Sequence, residues 1–170
     1  YAVTMMPDPF ELLGLHPRFA LDPITLEKAY LSRVARLHPD AEGMEDNHNA
    51  AASMNDARTL LADPERRAAA LLERLGGPSA STDKGLPTGF LSEMMELRET
   101  IESDLRSDPL QARAKWRAWA DKLRSEYIDR VGTMFDRLSA PPQPADLKAI
   151  RVHLNAWRYI ERLIEQLSDE

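Results

Sequence analysis

An all-α protein built from two helical units is what this chain of 170 residues predicts. Three observations predict it. Apolar residues recur at spacings of three and four along most of the chain, the period of a helix with one buried face. No stretch of five or more residues alternates cleanly with β-branched side chains, so strands are not expected. Helix starts are also marked: Asp precedes Pro at 8–9, 22–23 and 63–64, a side-chain cap followed by a residue preset for the first turn.

Taken in order, Asp8 caps a short helix that carries Phe10, Leu12 and Leu13 and stops at Gly14. Asp22 caps the next. Its stripe is Leu26, Tyr30, Val34 and Leu37, and Pro39 forbids continuation past Leu37. The acidic, Gly-containing stretch 41–47 reads as a loop. A helix over 49–61 follows with Met54, Ala57, Leu60 and Leu61, and Asp63-Pro64 opens another that ends at Gly76-Gly77. Residues 77–89 crowd Gly, Pro, Ser and Thr and read as a linker. Three long helices are expected beyond it, about 90–105, 109–138 and 145–167, broken at Asp108-Pro109 and by the proline run 141–144. Short connections make them an antiparallel bundle. The units are therefore 1–76 and 90–170.

Bulk properties remove several functions. The net charge is −6; residues 1–76 hold 8 basic and 12 acidic side chains and the rest 14 and 16. Neither half has the positive excess of a general nucleic-acid binder. With no cysteine, disulfides and thiolate-bound metal are excluded. No apolar run reaches the length of a membrane span. His16, His38, His48 and His153 have no metal-ligand spacing with acidic partners, and no Gly-rich phosphate loop occurs. No enzymatic site and no cofactor can be named.

Two groups of residues exceed what a plain bundle needs. On a helix from Phe90, the side chains of Phe90, Met94, Leu97, Ile101 and Leu105 form one core stripe. Leu91 lies at its edge and Met95 outside it, beside Arg98, Glu99 and Glu102. In the last helix Leu147, Ile150, Leu154, Trp157, Ile164 and Leu167 keep core spacing, while Tyr159 points away. An apolar spot with a charged rim is the composition of a partner-binding surface. Trp116, Trp119, Leu123, Tyr127, Val131, Met134 and Leu138 keep core spacing in the middle helix and read as packing residues. The other group is His38-Pro39-Asp40, a polar pair on a rigid corner between two helices.

The chain resembles the HscB-type J-protein co-chaperones of iron–sulfur cluster assembly from about Asp8 to Leu167. The likeness rests on 8–15 (DPFELLGL), on the helix from Pro23 to the tripeptide, on 54–57 (MNDA) and on 63–68 (DPERRA). It is most specific at 90–99 (FLSEMMELRE), with a weaker echo at 157–160 (WRYI). The resemblance implies an N-terminal J-domain, a helical hairpin with flanking short helices, followed by a C-terminal antiparallel three-helix bundle. It implies a monomeric co-chaperone that stimulates the ATPase of a DnaK- or HscA-type chaperone and delivers the scaffold protein IscU to it. His38, Pro39 and Asp40 would dock on the chaperone, helped by a positive face of Lys28, Arg33 and Arg36. Family scaffold contacts fall on Leu91, Ser92, Met95, Glu96, Arg98, Glu99 and Tyr159. The implied location is the bacterial cytoplasm, or the mitochondrial matrix if a leading segment has been removed.

The chain also departs from the family pattern. Ser92 stands where relatives carry a bulkier apolar residue, and Ala41 where a basic one follows the tripeptide. Arg33 falls on the core stripe, where its stem is expected to pack and its guanidinium to reach outward. A J-protein serving another client through its bundle is the alternative reading. A helical protein with an incidental tripeptide is a second.

Overall fold

A computed structural model describes residues 7–37 and 44–168. The tripeptide His38-Pro39-Asp40 and Ala41 lie outside the described residues. Those described form helices α1 (Pro9–Leu13), α2 (Pro23–Val34), α3 (Met44–Ala62), α4 (Pro64–Arg74), α5 (Phe90–Ser107), α6 (Pro109–Asp136) and α7 (Pro144–Ser168). No strand occurs among them. The all-α reading holds, and the chain divides into two compact units, Tyr1–Arg74 and Leu75–Glu170.

In the first unit α2 and α3 pair as a hairpin, and α1 and α4 pack on α3. A five-residue helix cannot stand by itself, so α1 is held at both ends. The Asp8 carboxylate accepts from the N–H groups of Phe10 (2.8 Å) and Glu11 (3.2 Å). Gly14 closes the helix at φ 67°, a left-handed conformation that costs glycine little. Phe10 and Leu13 are thereby buried, as are Phe19, Leu26, Ala57, Leu61, Ala68, Leu71 and Leu72. Arg67 is buried too. Its Nε donates to the Phe19 carbonyl (2.8 Å) and its Nη1 to that of Leu61 (2.5 Å). The guanidinium lies over the Phe19 ring, 5.4 Å from the centroid. One side chain thus supplies donors to a loop carbonyl and to the end of α3, groups that would otherwise be buried unpaired.

Two boundaries differ from expectation by three residues or more. The α-helical part of α2 ends at Val34 rather than Leu37, and the chain tightens through Arg36 N–H to Arg33 O (3.2 Å) and Leu37 N–H to Val34 O (3.0 Å). A proline at 39 would clash with a helical carbonyl four residues back, so the last turn contracts to the shorter pattern. Helix α3 starts at Met44, well inside the stretch read as a loop. Acidic composition does not break helices; Gly43, the strong breaker there, stands just before the first helical residue.

In the second unit α6 packs against both α5 and α7, the antiparallel three-helix arrangement. The expected stripes are buried at Phe90, Met94, Ile101, Trp116, Tyr127, Val131, Leu147, Ile150, Leu154, Trp157 and Ile164. Leu97, Leu105 and Trp119 are partly buried against a cluster of Ile101, Ala112, Trp116 and Leu163. The Leu167 side chain lies outside the described residues. Tyr127 stacks on Trp157 with centroids 6.2 Å apart. Each buried indole finds an acceptor: Trp116 Nε1 donates to Asp104 (3.0 Å) and Trp157 Nε1 to Glu161 (2.8 Å).

The stretch 77–89 is bonded to α7. Arg151, only 2 % exposed, donates through Nε to the Pro78 carbonyl (2.9 Å). Asn155 Nδ2 donates to the carbonyls of Asp83 (3.0 Å) and Gly85 (2.9 Å). A segment read as a linker therefore lies as a strap on the bundle, because two polar residues on α7 satisfy its backbone.

Candidate functional site

The apolar spot of the second unit is built on the exposed side of α5. Burying Phe90, Met94 and Ile101 fixes the rotation of that helix and turns Leu91 and Met95 to solvent, 54 % and 66 % exposed. Both exceed what a lone surface methionine or leucine signifies, because they stand one turn apart on the same side. Arg98, one further turn along, donates from Nη2 to Gln166 Oε1 of α7 (3.1 Å). The row Leu91, Met95 and Arg98 therefore runs along the border with α7.

Tyr159 lies two turns before Gln166 on the α7 side of that border. Its ring meets Phe90 edge-on, centroids 5.6 Å apart at 87°. Tyr159 is half-buried, so it does not stand clear of the core as its wheel position suggests; the aromatic edge draws it onto the root of α5. Glu99 shares the exposed face with Met95. Ser92 is exposed next to Glu99 on that face, and Glu96 is exposed further round. The structure thus places Leu91, Met95, Arg98, Glu99 and Ser92 on the exposed side of α5, with Glu96 at its margin, and seats Tyr159 against Phe90 at the start of that helix. Gln166 escaped the sequence reading; its spacing of seven from Tyr159 was the available signal.

What results is an apolar centre ringed by Glu99, Glu102 and Arg98. It can seat apolar side chains and discriminate among charged neighbours. Among the described residues no group of three or more His, Cys, Asp or Glu side chains could hold a metal ion. No helix there is long and apolar enough to cross a membrane.

The basic residues of the first unit that are expected to form a positive face do not all stand outward. Lys28 on α2 and Arg36, in the turn after it, are both exposed. Arg33 does not reach outward: its guanidinium folds back over Gly14, where an added Cβ would collide with Nη2. The expected positive face is reduced accordingly. Glycine at 14 leaves room for a cation beside the carbonyl end of α1, which draws the side chain in.

Comparison with known proteins agrees with this architecture. Residues 86–168 match the family model described as the HSCB C-terminal oligomerisation domain. Over 168 residues the chain is 32% identical to the co-chaperone protein HscB homolog of Bordetella pertussis, spanning 95% of this chain and 94% of that protein. Among solved structures, the chaperone HscB from Vibrio cholerae superposes with a TM-score of 0.73 at 28% identity, over 94% of each chain. The human co-chaperone protein HscB has a TM-score of 0.77 at 22% identity over 98% of this chain and 82% of that one, a likeness of fold alone. A chain that follows one kind of protein from end to end, with nearly a third of its residues identical, belongs with that kind: it is a member of the HscB family, non-enzymatic co-chaperones of iron–sulfur cluster assembly.

Proposed function

We propose that this chain couples an IscU-type scaffold protein to a DnaK- or HscA-type chaperone. Residues 1–76 act as a J-domain and residues 90–170 as the scaffold holder. The observation that carries the scaffold half is the pair Leu91 and Met95, both more than half exposed on one side of α5, whose first residue, Phe90, packs on Tyr159. Ser92, Glu96, Arg98 and Glu99 complete the contact surface, and the small Ser92 makes its margin less apolar. Scaffold side chains bury the two apolar anchors, while Arg98 and Glu99 select the charge pattern around them.

The tripeptide carries the other half. Pro39 stiffens the corner, so His38 and Asp40 meet the chaperone without first losing much backbone freedom. Asp40 accepts hydrogen bonds from cationic or polar groups of the ATPase, and such charge-assisted bonds are the stronger kind. Lys28 and Arg36 add positive charge nearby. The co-chaperone works as a monomer in the bacterial cytoplasm.

Chaperone ATP turnover, measured with this protein and the scaffold added separately and together, tests the coupling. Stimulation by the protein and a further, more than additive rise with scaffold are expected. Asp40→Asn and His38→Gln should each abolish stimulation while leaving the helical circular dichroism unchanged. Persistence of stimulation in both variants refutes the J-domain role.

A further inference from the structure

The border between α5 and α7 is crossed by two side-chain bridges. Tyr159 meets Phe90 edge-on, and about two turns further along α7 Gln166 accepts from Arg98 Nη2 at 3.1 Å. Arg162 stands between these two residues of α7. At 100° per residue it lies about 60° round the helix from Tyr159 and about 40° from Gln166. It is exposed, and among the described residues it makes no hydrogen bond or ion pair, with Glu165 of the next turn included. Its fellow cations are committed elsewhere. Arg158 lends its charge to Glu161, which Arg124 binds, and Arg98 is held by Gln166. A solvated cation with no internal duty therefore sits one turn from the residue that anchors Arg98.

Charges around the apolar spot are not evenly placed. Going round α5 from the side of α7, the order at 100° per residue is Arg98, Leu91, Met95, Glu99, Ser92 and Glu96, all of them exposed. Cations thus stand on the α7 flank, with Arg162 next on α7 itself, and carboxylates stand on the opposite flank. Glu102 lies a turn beyond Arg98, past the end of the Leu91–Met95 pair. An apolar centre between opposite charges accepts a partner in one orientation, because turning the partner round sets like charge against like.

We propose that Arg162 is a further scaffold-binding residue, which together with Arg98 receives an acidic group of the scaffold on the α7 flank of the spot. The surface that fits has apolar side chains at its centre, a carboxylate toward Arg98 and Arg162, and a basic residue toward Glu96 and Glu99. This rests on the reading of α5 as the scaffold holder. It deepens that reading by adding a residue of the last helix and by giving it a task. Arg162 attracts the scaffold at a distance and sets which way round it docks, while Leu91 and Met95 hold it once docked.

The test is stopped-flow association of the full chain with a purified IscU-type scaffold protein, at low and at high salt. Arg162→Gln should lower the association rate constant roughly threefold at low salt, and Arg162→Glu roughly tenfold, because a rim charge acts mainly on encounter. Both differences should shrink toward nothing at high salt, where charges across a wet rim are screened. Arg162→Lys should stay within about twofold of the parent, since encounter depends on the charge rather than on the shape that carries it. Arg162 is exposed, so an unaltered thermal melt verifies the fold of each variant.

An Arg162→Glu variant that associates as fast as the parent, in an assay where Leu91→Ala with Met95→Ala weakens binding, overturns the inference and leaves the scaffold site standing. So does a loss in Arg162→Gln that is equally large at high salt, or that Arg162→Lys shares in full, because packing rather than charge would then be at work. Faster association of Arg162→Glu than of the parent overturns it too, since the scaffold would then turn a cation toward the α7 flank. A parent that binds no scaffold, or an alanine pair that binds as well as the parent, refutes the scaffold reading itself, and this inference falls with it.

Discussion

Gly14 and Arg33 form a pair whose meaning neither residue carries alone. The glycine closes α1 at φ 67°, and its missing side chain is the space that the Arg33 guanidinium occupies. Gly14→Ala should therefore destabilise the protein twice over. The left-handed backbone costs an alanine about 1–2 kcal/mol, and the new methyl also displaces the guanidinium. Adding Arg33→Ala to that variant should recover the second part and leave the first. Urea unfolding of the two single variants and the double variant checks this; additive effects would mean that the two residues do not interact. Sequence reasoning placed Gly14 as a helix stop from its position alone. It placed Arg33 on the core stripe and aimed its head outward, since no one-dimensional pattern shows that a glycine nineteen positions earlier leaves a seat for it. Arg67 is the same case: a surface charge by composition, but by structure the donor to the carbonyls of Phe19 and Leu61.

Helices are joined by a few polar contacts set among apolar ones, and Glu161 is the clearest. It accepts from Arg124 Nε (2.8 Å) and Nη2 (2.5 Å) on α6 and from Trp157 Nε1 (2.8 Å) on its own helix. Burial alone would raise its pKa, but hydrogen bonds from Arg124 and Trp157 and the charges of Arg124 and Arg158 outweigh it. The carboxyl is held below the ordinary value of 4.5. A depressed folded-state value means stability that is present in full above pH 4.5 and lost as pH falls below it, through the folded value. Glu161→Gln should cost about 1–2 kcal/mol at neutral pH, from the charge-assisted bonds it weakens. It should also flatten the decline of melting temperature on acidification, as followed by circular dichroism across that window. An unchanged acid limb would show that Glu161 does not link pH to stability. Helix existence was readable from Asp–Pro starts and three-four spacing, whereas two ends were not. Contraction of α2 after Val34 and the start of α3 at Met44 depend on which backbone bonds close, and composition reports those poorly.

At the scale of the molecule the chain forms two units, and the apolar spot on α5 belongs to the second. Replacing Leu91 and Met95 by alanine should weaken binding of an IscU-type scaffold by about 2–4 kcal/mol, the range for clustered anchors. Both lie at the surface, so the thermal melt should hardly move. Calorimetric titration of the full chain with scaffold measures this, and unchanged affinity would remove the site. Leu91 and Met95 were visible in the sequence as residues left over once a core stripe had been drawn. Tyr159 was visible as an outlier, but its half-buried seat against Phe90 needed the packing of α7 on α5. The strap at 77–89 was likewise hidden: a run of Gly, Pro, Ser and Thr has the composition of a free linker. Arg151 and Asn155 of α7, more than sixty residues away, bind its carbonyls.

By itself, the sequence determined the all-α class, the position of nearly every helix, the buried stripes and the two regions that exceed a plain bundle. These are properties of local spacing and of backbone stereochemistry, and both are written in neighbouring residues. Tertiary structure decided which polar side chains turn inward, which half-apolar faces stay in water, and that Arg33 folds over Gly14 while Lys28 and Arg36 stay exposed. Those outcomes depend on what lies across the gap between helices, and long-range packing alone brings those groups together.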